Sequence, residues 1–121
     1  MEASVSAVAD IQNYAVAFLM TIALETVVAW LLGYRRKLEI ACVVAVNVFT
    51  HPAANFLVWL AAQQSRPFGL GEILLLEAVI VAVEWRLTCF ALPRRSQTGL
   101  LFLSLAMNGV SYLAGFWIPW R

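Results

Sequence analysis

Four apolar runs dominate this sequence, and each is long enough to cross a bilayer as a helix. They extend from about 11 to 33, about 39 to 62, about 71 to 92 and about 98 to 117. A spanning helix needs about 20 predominantly apolar residues, whereas a tilted spanning strand needs only about 10. Backbone polar groups cannot go unpaired in hydrocarbon, so continuous runs of this length are read as helices rather than barrel strands. Of the 121 residues, 63% are hydrophobic and 12% are charged, against about a quarter charged in soluble domains. Four spans joined by short turns use up the whole chain. The expected fold is therefore an all-α integral membrane protein with four transmembrane helices in one domain covering 1–121. Two tandem helical hairpins, at about 11–62 and about 71–118, would compose it.

Charge asymmetry sets the expected orientation. Arg35, Arg36, Lys37, Arg86, Arg94 and Arg95 lie on or near the first and third turns, and only Arg66 and Arg121 lie on the other side. Basic residues in short loops mark the cytoplasmic face. The turns at 34–37 and 93–97 are thus expected in the cytoplasm and both termini outside a cell (inner or plasma) membrane. Trp59, Trp117 and Trp120 fall towards the outer ends of their runs, where interfacial anchors belong. The first residues carry Glu2 and Asp10 but no Lys or Arg, unlike the basic flank of a cleaved signal peptide, so the first run is expected to be retained. A net charge of +1 offers no electrostatic case for nucleic acid. Cys42 and Cys89 fall near the reducing side and read as small apolar fillers rather than a disulfide.

Inside this apolar chain, two short segments resemble each other: Asn47-Val-Phe-Thr50-His51 and Asn108-Gly-Val-Ser111-Tyr112. Each follows a glutamate in the preceding run, Glu25 by 22 residues and Glu84 by 24. Sliding the first half by 59 residues places Glu25 on Glu84 and Arg35-Arg36 on Arg94-Arg95. A two-residue insertion then aligns Asn47 with Asn108, Thr50 with Ser111 and His51 with Tyr112. Two halves of like orientation would be related by a pseudo-twofold axis along the membrane normal, a parallel internal repeat. Helical rise puts Glu25, Glu84 and Asn47 about 15 Å from their basic turns and Asn108 about 20 Å. In a core about 30 Å thick, all four would lie near the midplane.

The other polar residues fall in stripes. Asn47, His51 and Asn55 are spaced i, i+4, i+8; Glu77 and Glu84 are seven apart; Ser104, Asn108, Ser111 and Gly115 follow helical spacing; and Tyr14, Thr21 and Glu25 mark the first run. Such side chains are costly against lipid, so the stripes are expected to converge inside a bundle. Most of the extra polar residues lie on the outer side of the Glu/Asn layer, which predicts a cavity open to the outside and ending at Glu25, Glu84, Asn47 and Asn108. Pro52 cannot donate to the carbonyl of Val48, and a kink is expected beside His51.

Three functional readings compete. Binding or transport of a proton, a cation or a small polar solute uses Glu25, Glu84, Asn47, Asn108, His51, Glu77, Asn55, Thr50 and Ser111 as the site. A non-catalytic accessory or assembly subunit would use the same polar layer to fix helix packing. Packing is the preferred role for Thr50, Thr88, Ser104 and Ser111, because hydroxyls commonly bond between membrane helices. It explains Glu25 and Glu84 poorly, since an amide would serve at lower cost. An intramembrane metal-dependent enzyme would draw ligands from Glu25, His51, Glu77 and Glu84, a mixed N/O set suited to zinc, iron or manganese. The chain has one His, however, and neither His-x3-His nor Glu-x-x-His spacing. No cofactor is assigned, and no enzymatic activity is favoured. Glu39 and Glu72 lie near helix N-termini and are expected to be solvated there. The expected partners are the lipid bilayer and either a second copy or a larger membrane protein. Ala41-x3-Ala45 and Ser111-x3-Gly115 offer close helix approach.

Overall fold

The first three helices each stop at or beside a residue that turns the backbone out of the helix. The first, α1 (Glu2–Leu31), ends at Gly33, whose φ of 99° suits a residue without a Cβ. The Gly33 amide donates to the Trp30 carbonyl at 3.1 Å and the Tyr34 amide to that of Ala29 at 3.0 Å. This is the paired bonding of a Schellman motif, and Tyr34 and Ala29 are both buried beneath it. The next helix, α2 (Lys37–Gln63), closes the same way, with Ser65 in the left-handed conformation at φ 57° and the Arg66 amide donating to Ala61 at 3.0 Å. It continues through Pro52. Gly69 precedes α3 (Leu70–Ala91), and its amide donates to the Glu72 carboxylate. Pro93 follows α3, and the Ser96 hydroxyl accepts from the Gly99 amide at 3.2 Å to open α4 (Gln97–Trp117).

This computed structural model describes residues 2–117, with side chains described for 12–115. Trp117, Trp120, Arg121, Glu2 and Asp10, which bear on the anchoring, charge and signal arguments, lie outside those described side chains. Three helices are long and apolar enough to cross a membrane, over Gln12–Leu31, Lys37–Gln63 and Gln97–Gly115. The fourth apolar run behaves differently: α3 has 22 residues but carries Glu72, Glu77, Glu84 and Arg86.

The helices close a ring, in which α1 and α3 each pack against both α2 and α4. Hydrophobicity is distributed inside out. Glu25, Asn47, Thr50, Glu84, Thr88, Ser104 and Asn108 are buried, while Leu19, Phe49, Leu75, Phe90 and Phe102 are exposed. A water-soluble bundle would reverse the two sets. An apolar plug of Ala29, Tyr34, Cys42, Val43, Val46, Leu92, Leu100, Leu103 and Met107 fills the end nearer the basic turns.

At that end the structure corrects one expectation. Glu39 is buried, at 3% exposure, rather than solvated. It faces Arg95, whose Nη2 donates to Glu39 Oε1 at 3.0 Å and to the Gly33 carbonyl at 3.0 Å. The guanidinium also lies 4.6 Å above the centre of the Tyr34 ring. The carboxylate beside it raises the Arg95 pKa, keeping that charge in place. Arg95 therefore ties the α3–α4 turn to the α1–α2 turn, a structural use of a residue that charge counting assigns only to topology.

Candidate functional site

Two of the buried glutamates come from opposite helices of the ring and meet a shared histidine. Glu25 on α1 and Glu84 on α3 are both fully buried. His51 on α2 places Nε2 3.4 Å from Glu25 Oε1 and 3.9 Å from Glu84 Oε1. Each carboxylate also receives a hydroxyl. Thr50 Oγ1 lies 2.7 Å from Glu84 Oε1, and Ser111 Oγ lies 2.9 Å from Glu25 Oε1. Asn108 Nδ2 donates to Glu84 Oε2 at 2.6 Å and to the Ser104 carbonyl at 2.9 Å. Both protons of that amide are committed, so Oδ1 is its remaining acceptor.

Donors and acceptors do not balance here. Glu25 Oε2, Asn47 Oδ1, Asn108 Oδ1 and His51 Nε2 are buried without a hydrogen-bond partner. Leaving such groups unpaired in a dry interior costs about 1–3 kcal/mol each. Three of the four are carbonyl or carboxylate oxygens, so the site has an excess of electron pairs. Among the described residues, no Lys or Arg pairs with Glu25 or Glu84; the basic side chain within ion-pair distance is His51.

A cavity of about 430 Å³ opens onto this cluster. His51 and Ser111 belong both to its wall and to the carboxylate contacts, and Tyr14, Thr21, Asn55 and Glu77 line it farther out. Tyr14 stacks on Phe18 with ring centres 6.0 Å apart.

The residues singled out in the sequence separate into three groups. Glu25, Thr50, His51, Glu84, Asn108 and Ser111 form one contact network. Glu77 and Asn55 line the cavity; Glu77 stands outside the close group of Glu25, His51 and Glu84, whose ligand atoms lie within 4.8 Å of one another. Asn55 is exposed and donates to the His51 carbonyl at 2.9 Å, consistent with its i+4 position. Asn47 is buried on its own helix, donating to the Val43 carbonyl at 2.9 Å.

Hydroxyl roles divide in a way that spacing does not reveal. Ser104 bonds across helices to the Val81 carbonyl at 2.9 Å, and Thr88 bonds back to Glu84 and Trp85 on its own helix. Thr50 and Ser111 also bond across helices, as a packing role requires, and their acceptors are the Glu84 and Glu25 carboxylates. Their i+3 spacing from Asn47 and Asn108 is the signal that the sequence offers.

No known protein family, curated protein or solved structure matches this chain. What fold and site define together is an all-helical protein with membrane-length apolar helices and a buried carboxylate–imidazole–carboxylate group.

Proposed function

We propose that this chain is a small four-span membrane protein that binds a cation at Glu25 and Glu84 in exchange for protons and carries it across the membrane, the cavity serving as its path on the outer side. The observation that carries this reading is the fully buried carboxylate pair, with Glu25 Oε2 unpartnered, in contact with His51 and Ser111 of a cavity wall. Ionisable groups at bilayer depth are costly unless they serve a ligand or a proton path. A cation supplies the missing positive charge, and a proton on either carboxyl replaces it when the cation leaves. Under the positive-inside rule the basic turns favour an outer-side cavity mouth, and this reading takes α3 as the fourth span.

The bonding pattern also supports a parallel repeat. Thr50 reaches Glu84 while its counterpart Ser111 reaches Glu25. Asn47 and Asn108 each donate to the carbonyl four residues earlier. The two halves also differ: Asn108 reaches Glu84 Oε2, while Glu25 Oε2 has no donor.

Proteoliposomes containing a trapped pH indicator test the proposal. An inward gradient of a transported cation is expected to drive protons outward in the wild type and to fail in Glu25→Gln and Glu84→Gln. Equal proton fluxes in wild type and both variants would refute it and favour the accessory-subunit reading.

A further inference from the structure

We infer that the cation is a divalent first-row transition-metal ion of the zinc type, held by Glu25, His51 and Glu84. The inference rests on the cation-exchange reading and names its cargo. Three independent features on the page point to it.

The first is spacing. With bonds of about 2.0–2.1 Å to N and O, a tetrahedral ion holds its ligand atoms about 3.3 Å apart. His51 Nε2 lies 3.4 Å from Glu25 Oε1 and 3.9 Å from Glu84 Oε1. The ligand atoms of all three residues lie within 4.8 Å of one another, so an ion would draw them inward to ligand distance. The second is charge. Two carboxylates balance a divalent ion, and no Lys or Arg among the described residues competes for them. The third is donor chemistry. Sodium, potassium, calcium and magnesium are met by oxygen, while an imidazole favours zinc, iron and their neighbours. Neither Cys42 nor Cys89 belongs to the group, which disfavours the softest ions.

The surroundings resemble the outer layer of a metal site. Thr50 and Asn108 hold the Glu84 carboxylate from both oxygens, and Ser111 holds Glu25 Oε1. Such partners orient ligands and tune their affinity. Glu25 Oε2 is buried and unpartnered, free to complete a bidentate carboxylate. The cavity side of His51 leaves a coordination position for water, as a site that must release its ion requires.

Cobalt(II) is the probe. Purified protein titrated with Co²⁺ is expected to develop visible d–d absorption of a four- or five-coordinate N/O site, saturating at one ion per chain and displaced by Zn²⁺. Glu25→Gln, Glu84→Gln and His51→Ala should each weaken Co²⁺ binding by at least about tenfold, while Glu72→Gln, far from the group, should not. His51→Cys provides a gain of signal from folded protein: a thiolate-to-cobalt charge-transfer band in the near ultraviolet. Absence of the d–d absorption in wild type overturns the inference, as does Co²⁺ binding that the His51 variants leave unaltered. Proton release on adding Na⁺, K⁺ or Ca²⁺, with no Co²⁺ spectrum, would overturn the metal assignment and leave cation exchange standing. No response to any of these ions would overturn both.

Discussion

Thr50→Val offers a quantitative test of the network that holds Glu84. The Thr50 hydroxyl lies 2.7 Å from Glu84 Oε1 and 3.0 Å from the Val46 carbonyl, and its single proton serves the shorter contact. Valine keeps the branched shape and deletes that proton. A hydrogen bond to a charged group contributes about 1.5–3 kcal/mol in soluble proteins. Between membrane helices the average is about 0.6, with a maximum near 1.7 kcal/mol. Glu84 is fully buried, and Asn108 would be its one remaining hydrogen-bond donor among the described residues, so the expected cost is towards the upper membrane value, about 1.5 kcal/mol. In a Glu84→Leu background the acceptor is gone. Thr50 then keeps only its bond within α2, which an isolated helix in the bilayer retains, and Thr50→Val should cost less than about 0.5 kcal/mol. Reversible unfolding of the four proteins in mixed micelles gives the coupling directly, expected near 1 kcal/mol by subtraction. Equal costs of Thr50→Val in both backgrounds would refute the idea that this hydroxyl serves the carboxylate.

The fold supplies further tests. Ser65→Gly relieves a left-handed serine at φ 57°, and after the added flexibility of unfolded glycine is subtracted the gain should be about 0.5 kcal/mol. An unchanged unfolding midpoint would contradict that assignment of strain. Leu103 is fully buried in the apolar plug, and Leu103→Ala should cost about 2–5 kcal/mol in the same unfolding assay. For topology, single cysteines at Ser65 and Ser96 in a background lacking Cys42 and Cys89 should label differently. An impermeant maleimide should reach Ser65→Cys in intact cells and Ser96→Cys only after permeabilisation, and the opposite result would invert the proposed orientation.

Much of the site was legible in the sequence because cost is legible there. A glutamate or asparagine inside an apolar run demands an internal partner, so Glu25, Glu84 and Asn108 were marked before any contact was known. Helical spacing likewise placed His51 on an inward face. Partner identity was not legible, because it depends on how helices rotate against one another. Thus spacing marks Thr50 and Ser111 as hydroxyls between helices, and only the packed helices show that their acceptors are opposite carboxylates. Asn47, read as the equal of Asn108, bonds only within its own helix in the structure. Glu39 was misread for the same reason. Its position near a helix start suggests a solvated carboxylate, but its partner Arg95 is 56 residues away and no local pattern reports the meeting. The charge density of α3 has the converse lesson: a helix that presents Glu77 and Glu84 towards its neighbours loses the apolar signature that marks the other three.

The central claim is that the buried carboxylates exchange protons for a cation, and a proton count tests it most directly. Purified protein in weak buffer with a pH indicator is titrated with cations until binding saturates. The wild type should release protons in proportion to bound cation, and Glu25→Gln with Glu84→Gln in one chain should release none. Cation binding without proton release, or release that survives in the double variant, would contradict the account.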